Sequence, residues 1–262
     1  MNITLPSKIC FRVTRSCNSS CRFCCAPPQG STPHVSAIIN RLDWLLSHGV
    51  RTVNFCGGEP TLHPDLDGII GYSHRHGAKT ELTTNGIHLN DSLSSILSKV
   101  KARVKVSLFG NREHHDFLAG NQSFDQTTAT IDRLIRSAVP VAVQSTIVAH
   151  RLEMVDWLAS FCMAKGIRQL NILPFIPRGN GKTVRSDFEL STRDRTTLKD
   201  SVKTKRRHYS NRLDIRWLDF NVKSIYVVET DGRVLIERMD ENFDTELCSV
   251  DSLHTTSASE QR

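Results

Sequence analysis

Short apolar strands alternate with amphipathic helices from Lys8 to Leu173, and this alternation constrains the fold more than any other feature. The predicted strands are Lys8–Thr14, Thr52–Cys56, Lys79–Thr83, Arg103–Phe109, Val139–Val148 and Arg168–Leu173. The predicted helices are Val35–Ser47, Asp65–His76, Asn90–Lys99, Phe124–Ser137 and Leu152–Lys165. This pattern predicts an α/β fold with parallel strands joined by crossover helices. The spacing alone is compatible with a partial barrel or with an open doubly wound sheet.

The chain changes character after Leu173. Residues 174–182 read as a loop, Ser191–Arg207 as a charged helix, and Ser224–Val228 with Arg233–Ile236 as a β-hairpin on an Asp-Gly turn. The tail from Thr255 is rich in Ser and Thr and is predicted to be disordered. We therefore expect a barrel over residues 1–180, a C-terminal α+β extension over 181–254, and a disordered tail over 255–262.

Three cysteines lie within eight residues directly after the first predicted strand, as Cys17-x3-Cys21-x2-Cys24. Thiolates are soft ligands that suit an iron–sulfur cluster or zinc. Three ligands leave one iron of a four-iron cluster open for chemistry. Cys25 would complete a set of four, but we expect its thiol to point elsewhere because neighbouring side chains diverge. A structural zinc loop is the alternative, although no second cysteine pair of the usual spacing follows.

Polar and glycine-rich segments follow the next predicted strands. Gly57-Gly58-Glu59-Pro60 ends the second strand, and Thr83-Thr84-Asn85-Gly86 ends the third. The two glycines would let the backbone approach a ligand closely, whereas an ordinary Gly-Gly turn is the structural alternative. Ser107 and Gln144 lie on the fourth and fifth strands. Because the ends of parallel strands meet at one face, we expect these groups to surround one site.

The cysteine spacing, with Phe23 as an aromatic residue before the last cysteine, resembles the signature of the radical S-adenosylmethionine (SAM) superfamily. Residues 57–60 resemble the GGEP motif of that family, and residues 83–86 resemble its TxNG segment. The resemblance implies a partial (β/α)6 barrel of the TIM type. It also implies one electron delivered through a [4Fe-4S] cluster, reductive cleavage of SAM, and a 5′-deoxyadenosyl radical that abstracts hydrogen from a substrate.

The resemblance also assigns roles to individual residues. The cluster ligands would be Cys17, Cys21 and Cys24. The cofactor-binding residues would be Phe23, Gly57, Gly58, Glu59, Pro60, Thr83, Asn85, Ser107 and Gln144. Within this set, the glutamate carboxylate and the exposed backbone would hold the ammonium group of SAM. Ser107 and Gln144 have an equally reasonable reading as satisfied polar groups of the core.

The stretch from Ser107 to Phe124 resembles a run found in radical SAM enzymes that mature peptides. In it, we expect His115 to pack the loop and Asp116 to cap, although an acid–base pair is the alternative. Relatives of this kind carry auxiliary-cluster cysteines near their C-terminus. This chain has only Cys248 after Cys162, so we expect one cluster. The predicted function is peptide modification, and the alternative is modification of a nucleotide or another anionic small molecule.

Composition bounds the remaining possibilities. The 262 residues carry 39% hydrophobic residues and a net charge of +7, with basic residues concentrated from Lys199 to Arg216. This basic stretch is read as a solvated helix face or as a surface for an acidic substrate, and no nucleic-acid motif accompanies it. No apolar run predicts a signal peptide or a membrane span. We expect a cytoplasmic enzyme with an electron donor such as flavodoxin or ferredoxin.

Overall fold

A computed structural model describes residues 4–220 and 224–252 of the chain. The strands are β1 (Lys8–Thr14), β2 (Thr52–Gly57), β3 (Lys79–Thr84), β4 (Arg103–Ser107), β5 (Val141–Ile147), β6 (Gln169–Pro174), β7 (Asp214–Trp217), β8 (Ile225–Val228), β9 (Arg233–Glu237) and β10 (Thr245–Ser249). The helices are α1 (Val35–Ser47), α2 (Leu66–Arg75), α3 (Asp91–Lys99), α4 (Arg112–Ala119), α5 (Phe124–Arg136), α6 (Met154–Ala164), α7 (Arg185–Phe188) and α8 (Thr192–His208). The predicted tail of residues 255–262 lies outside the described residues.

Strands β1 to β6 are parallel and lie side by side in the order of the sequence. A doubly wound sheet would reverse its order at a switch point, so the sequential order excludes that alternative. The protein is a partial barrel of the TIM type with a parallel sheet, as predicted. All six predicted barrel strands are confirmed, with small differences at their ends.

The C-terminal strands join the same sheet. β7 pairs parallel to β6 at one edge, and β8 pairs parallel to β1 at the other, where Cys10 lies opposite Val227. β9 and β10 continue from β8 as antiparallel strands. The predicted hairpin is confirmed, and Gly232 in its turn has a φ of 86°, which favours glycine. The division at residue 180 remains a prediction, since one hydrogen-bonded sheet runs across it.

Helix α1 shows why the helices lie where they do. Ile38, Leu42 and Leu45 are fully buried and recur at helical spacing, so one face of α1 packs against the sheet. The helix ends before Gly49, whose φ of 91° stops it. Within the described residues, none of the helices has the length and apolar character needed to traverse a bilayer.

Helix α4 was missed in the sequence analysis, which treated residues 110–123 as a loop. The side chain of Asn111 accepts a hydrogen bond of 3.0 Å from the His114 N–H and caps the first turn. Gly120, with a φ of 72°, ends the helix. Strand β4 ends at Ser107 rather than Phe109, which leaves room for α4 to pack over the end of the barrel.

Candidate active site

A cavity of about 450 Å³ opens at the end of the barrel where the parallel strands terminate. Its walls combine the cysteine loop after β1, the turns after β2 and β3, and the inward faces of β4 and β5. The predicted site residues that line it are Cys17, Cys21, Phe23, Cys24, Gly57, Gly58, Glu59, Thr83, Asn85, Ser107 and Gln144. The structure thus brings together all predicted site residues except Pro60, which is buried at the start of a short 3-10 turn, Pro60–Leu62.

Helix α4 holds the cysteine loop in place. The backbone N–H of Ser20 donates to Ala119 O at 3.2 Å, and the N–H of Arg22 donates to Leu118 O at 3.1 Å. A Cβ on Gly120 would lie 2.5 Å from Ser20 O, so only glycine permits this approach. The loop conformation is therefore set by the end of a helix that the cysteine motif itself does not reveal.

Burial makes ionisation of the three clustered thiols unfavourable, so their thiolate forms would need a bound cation. Burial raises the pKa of Cys17 to about 11 and that of Cys24 to about 12, and negative charge on neighbouring thiols adds to both shifts. Burial also raises the pKa of Cys21. A metal that binds thiolates would offset both effects. All eight cysteines are free, and within residues 4–220 and 224–252 no three Cys, His, Asp or Glu side chains form a single-ion site.

Cys25 lines the same cavity as the other three cysteines. Burial raises the pKa of its thiol, and Arg12, Glu237 and Arg178 lie close enough to act on it. The expectation that this thiol points away from the other three remains a prediction.

Phe23 gives the loop an apolar base. Its ring lies edge-on to that of Phe109, with centroids 4.9 Å apart. Both belong to a small apolar cluster with Leu118 and Ala119 that also contacts Cys21. This cluster therefore shields one side of Cys21 from water.

Gly57 and Gly58, at the end of β2, allow another part of the chain's own backbone to approach closely. A Cβ on Gly57 would lie 2.2 Å from Thr14 O, and one on Gly58 would lie 2.2 Å from Ser16 O. The N–H of Gly58 donates to Thr14 O, and that of Glu59 donates to Ser16 O, each at 2.8 Å. The close neighbour of both glycines is thus the segment that leads into the cysteine loop. Both glycines also line the cavity, and their approach to a ligand remains a prediction.

Glu59 is buried, and its carboxylate accepts four hydrogen bonds. The donors are Thr61 N–H at 3.1 Å, Thr61 Oγ1 at 2.7 Å, Thr84 Oγ1 at 2.6 Å and Asn85 N–H at 2.7 Å. Burial raises the pKa of this carboxyl, while the same hydrogen bonds oppose the shift. Glu59 therefore joins the turns after β2 and β3, and its oxygens are largely occupied within the protein.

The remaining predicted residues line the upper wall of the cavity. Asn85 Nδ2 donates to Asn18 Oδ1 at 2.8 Å, which links the turn after β3 to the cysteine loop. Thr83 Oγ1 donates to Asn54 Oδ1 at 3.0 Å. Ser107 and Gln144 lie opposite each other on β4 and β5 and line the same cavity. Their placement agrees with the sequence-based expectation, whereas their ligand roles remain predictions.

The structure confirms that Asp116 acts as a cap, and it places His115 at the packed end of the loop and on the cavity wall. Asp116 Oδ1 accepts the backbone N–H groups of Ser123 and Phe124, both at 2.9 Å, and so caps α5. His115 Nδ1 faces the Phe109 N–H at 3.4 Å, and Nε2 faces Ser123 Oγ at 3.1 Å. Burial lowers the pKa of His115 to about 4, so the ring is neutral at pH 7 and packs helix α4 against the barrel end.

Sequence reasoning missed a buried ionic network on the cavity wall. Arg12 on β1 is 6% exposed and forms ion pairs with Glu229 and Glu237 of the C-terminal hairpin. Arg178, in the loop after β6, also binds Glu237, at 3.1 Å. A charged residue between Phe11 and Val13, in the middle of a buried strand, was the signal that could have revealed it.

Cys10 on β1 and Cys56 on β2 line the cavity, whereas Cys162 on α6 is fully buried. Asn54 Nδ2 donates to Cys10 Sγ at 3.5 Å. A hydrogen bond from the Cys56 thiol lowers the pKa of Cys10 to about 6, with help from Asn54, Lys105 and Arg12 and against the effect of burial. The inward face of β1 is therefore polar.

A protein-family model, the radical SAM superfamily, matches residues 11–162. This chain belongs to that superfamily. The match spans β1 to α6 and so includes the cysteine loop and all the turns that form the upper cavity wall. The protein is a radical SAM enzyme, and its family uses a [4Fe-4S] cluster and SAM.

Two curated relatives show the range of radical SAM enzymes to which the chain is similar. The mycofactocin maturase MftC of Mycolicibacterium smegmatis is 27% identical over 207 residues, covering 75% of this chain and 52% of MftC. The probable GTP 3′,8-cyclase of Sulfurisphaera tokodaii is 25% identical over 225 residues, covering 82% of this chain and 71% of the cyclase. The chain spans about half the length of MftC, so the activity of that whole protein is not carried over.

A solved structure with the same fold is that of Streptococcus suis SuiB bound to the precursor peptide SuiA. It superposes with a TM-score of 0.78 at 15% identity and covers 95% of this chain and 63% of SuiB. At that identity the likeness shows the shared fold alone. The superposed part of this chain includes its C-terminal strands as well as its barrel.

Proposed function

We propose that this radical SAM enzyme modifies a peptide by abstracting a hydrogen atom from it. The observation that carries the proposal is the folding of residues 107–124. The run that resembles peptide-maturing enzymes forms the end of β4, helix α4 and the start of α5, directly against the cysteine loop. The similarity to MftC, named a maturase, and to SuiB, solved with a precursor peptide, supports the same class of substrate.

The chain fits the cofactors of its superfamily. When bound, the cluster and SAM supply the one-electron cleavage that yields a 5′-deoxyadenosyl radical. Cys17, Cys21 and Cys24 would hold the cluster, because all three line the cavity and a bound cation would stabilise their thiolates against the effect of burial. Phe23 and Phe109 would shield it from water. A low-potential donor such as flavodoxin or ferredoxin would provide the electron.

The turns after β2 and β3 would bind SAM. Because the Glu59 carboxylate is occupied by four donors, we assign the ammonium contact to backbone carbonyl groups of residues 57–59 rather than to this side chain. Asn85, Ser107 and Gln144 would then present polar groups to the carboxylate and ribose of SAM. Pro60 would act by stiffening the turn, since it lies outside the cavity.

The part of the cavity away from the cysteine loop would receive the substrate. Its lining includes the apolar residues Leu173, Ile176, Leu218 and Phe220 and the polar residues Cys10 and Asn54. Three of the cations that line the cavity are paired with carboxylates, Lys105 with Glu81 at 2.5 Å, Arg12 with two glutamates and Arg178 with Glu237 and Asp244, whereas Arg238 donates to the Ser224 hydroxyl at 3.4 Å. A neutral peptide segment suits such a surface better than a polyphosphate does.

A nucleotide or another anionic small molecule is the second candidate. The similarity to the GTP 3′,8-cyclase, which extends over 82% of this chain, favours it. The net charge of +7 agrees with an anionic substrate. However, residues 203–207, the most basic part of α8, do not line the cavity, so they read as a solvated helix face.

Anaerobic reconstitution tests the proposal. The protein should bind about four irons and convert SAM to 5′-deoxyadenosine after reduction with dithionite. A short peptide encoded beside the gene should accelerate this reaction and change in mass, whereas GTP should do neither. Failure to form 5′-deoxyadenosine in a four-iron protein would contradict the enzyme assignment, and acceleration by GTP alone would favour the second candidate.

A further inference from the structure

The loop of residues 178–182 lies between the cysteine loop and the C-terminal extension. The backbone N–H of Asn180 donates to Cys24 O at 2.9 Å, and Asn180 Nδ2 donates to Cys21 O at 3.5 Å. Gly179 has a φ of 57°, and a Cβ there would lie 2.5 Å from Cys24 O. The loop is thus packed directly against the backbone of two cysteines.

The other side of this loop is held by carboxylates of the extension. Arg178 is 7% exposed, and its guanidinium binds both oxygens of Asp244 at 2.9 and 2.6 Å and Glu237 at 3.1 Å. The backbone N–H of Gly179 donates to Glu241 Oε1 at 2.7 Å. Bidentate and charge-assisted hydrogen bonds of this kind fix position as well as charge.

A second set of contacts holds the cysteine loop at Pro27, three residues after Cys24. Arg15 Nη2 donates to Pro27 O at 2.8 Å, and Arg15 Nη1 lies 3.3 Å from Glu229 Oε1. Glu229 and Glu237 also bind Arg12 at the centre of β1. Residues 24–27 are therefore held at both ends by groups that the C-terminal hairpin fixes in place.

We propose that four carboxylates of the C-terminal extension position Cys24 as a ligand: Glu237, Glu241 and Asp244 act through the loop of residues 178–182, and Glu229 acts through Arg15, which holds Pro27. We call these four residues the extension carboxylates. The inference rests on the proposed function insofar as Cys24 holds iron. It explains what the extension contributes in a chain with a single cysteine, Cys248, after Cys162. Partners that hold a metal ligand in place commonly set metal affinity.

Glu241 offers the sharpest test, because its contact with the Gly179 N–H can be removed or kept. Glu241→Ala deletes the acceptor, whereas Glu241→Gln retains an oxygen at the same position. Glu189→Ala is a matched control, since Glu189 is an exposed carboxylate paired with Arg185 at 2.7 Å, near the same loop. Two measurements apply: deuterium uptake of residues 20–30 in the apo protein, and the rate of iron release to a chelator from the reconstituted protein.

Glu241→Ala should raise both deuterium uptake and iron release, by roughly 2- to 12-fold for one hydrogen bond. Glu241→Gln and Glu189→Ala should stay within twofold of the wild type. Unchanged values in Glu241→Ala, or an equal rise in Glu189→Ala, would overturn the inference. Wild-type protein that binds no iron would overturn the proposed function instead, and the deuterium comparison would still decide the inference.

A second pair of variants, at Asn180, tests the same inference through a backbone hydrogen bond and leaves every carboxylate unchanged. Asn180→Pro removes the N–H that reaches Cys24 O, whereas Asn180→Ala keeps it and removes only the side-chain amide. Iron release should be faster in Asn180→Pro than in Asn180→Ala. Equal rates in the two variants would also contradict the inference, even if Glu241→Ala failed to fold.

Discussion

The Glu59 carboxylate accepts the backbone N–H of Asn85 at 2.7 Å and thereby joins the turn after β2 to the turn after β3. Both turns line the cavity beside the three cysteines. A residue expected to touch the cofactor thus has its oxygens occupied in ordering two turns that line the cavity. The consequence is that the cavity wall depends on a buried carboxylate that must remain fully hydrogen-bonded.

The first prediction concerns this carboxylate. Glu59→Gln should destabilise the protein by about 2–3 kcal/mol, because the amide NH₂ would face donors from Thr61, Thr84 and Asn85. SAM binding should weaken in the same variant. Urea unfolding and equilibrium dialysis measure the two effects. Glu113→Gln, at an exposed position of α4, is the control, and an equal loss in both variants would contradict the role assigned to Glu59.

The second prediction concerns the close approach of Gly58 to the segment before the cysteine loop. Gly58→Ala should cost about 1–3 kcal/mol, the range for overpacking, because its Cβ would lie 2.2 Å from Ser16 O. Iron loading of the Gly58→Ala variant should also fall, because the displaced segment leads into the cysteine loop. Gly68→Ala in α2 meets nothing within 4 Å and should stabilise the protein by about 0.5–1 kcal/mol. Full iron loading of Gly58→Ala would show that the loop tolerates displacement.

The third prediction identifies the cluster ligands. Cys17→Ala, Cys21→Ala and Cys24→Ala should each abolish iron loading and SAM cleavage, because each removes one of three thiolates. Cys25→Ala and Cys56→Ala should retain the cluster. Anaerobic iron analysis and 5′-deoxyadenosine formation are the measurements. Loss of iron in Cys25→Ala together with retention in Cys24→Ala would show that Cys25, which lines the same cavity, is the third ligand.

The fourth prediction concerns the number of clusters. The reconstituted protein should hold one [4Fe-4S] cluster, about four irons per chain. Cys248 is a lone thiol in the extension, Cys162 is fully buried in α6, and Cys10 and Cys56 line the cavity, so these four thiols are not gathered at one place. Iron well above this value, with an EPR signal that survives in the Cys17, Cys21 and Cys24 triple alanine variant, would overturn it.

The fifth prediction uses the unusual acidity of Cys10. The thiolate is the form that reacts with iodoacetamide, and the hydrogen bond from Cys56 lowers the pKa of Cys10, so the alkylation rate of Cys10 in the apo protein should rise with pH and reach half its maximum below the ordinary pKa of a thiol. Cys162, fully buried with a pKa raised to about 12, should remain unmodified. Mass spectrometry of each cysteine peptide is the measurement, and a midpoint near the ordinary value of about 8.5 would contradict the prediction.

Much of this architecture was predictable because its signals are local. Periodicity located all six barrel strands and the C-terminal hairpin, since a strand or helix must match its own apolar spacing to the core. Helix α4 and strand β7 were not predicted, because Arg112–Ala119 and Asp214–Trp217 are short and rich in charge. The apolar side chains of these two elements can be recognised as part of the core only when the elements that pack against them are known.

The sequence by itself determined the chemistry: three thiols, two turns and two strand positions, in an order that implies one face of a parallel barrel. The tertiary structure decided how these groups are held. It placed the Glu59 oxygens on four protein donors, the glycine pair against the backbone of residues 14–16, and Arg178 between the cysteine loop and the extension carboxylates. The motif is local, whereas each of these contacts joins residues far apart in the chain, and only the folded chain brings such residues together.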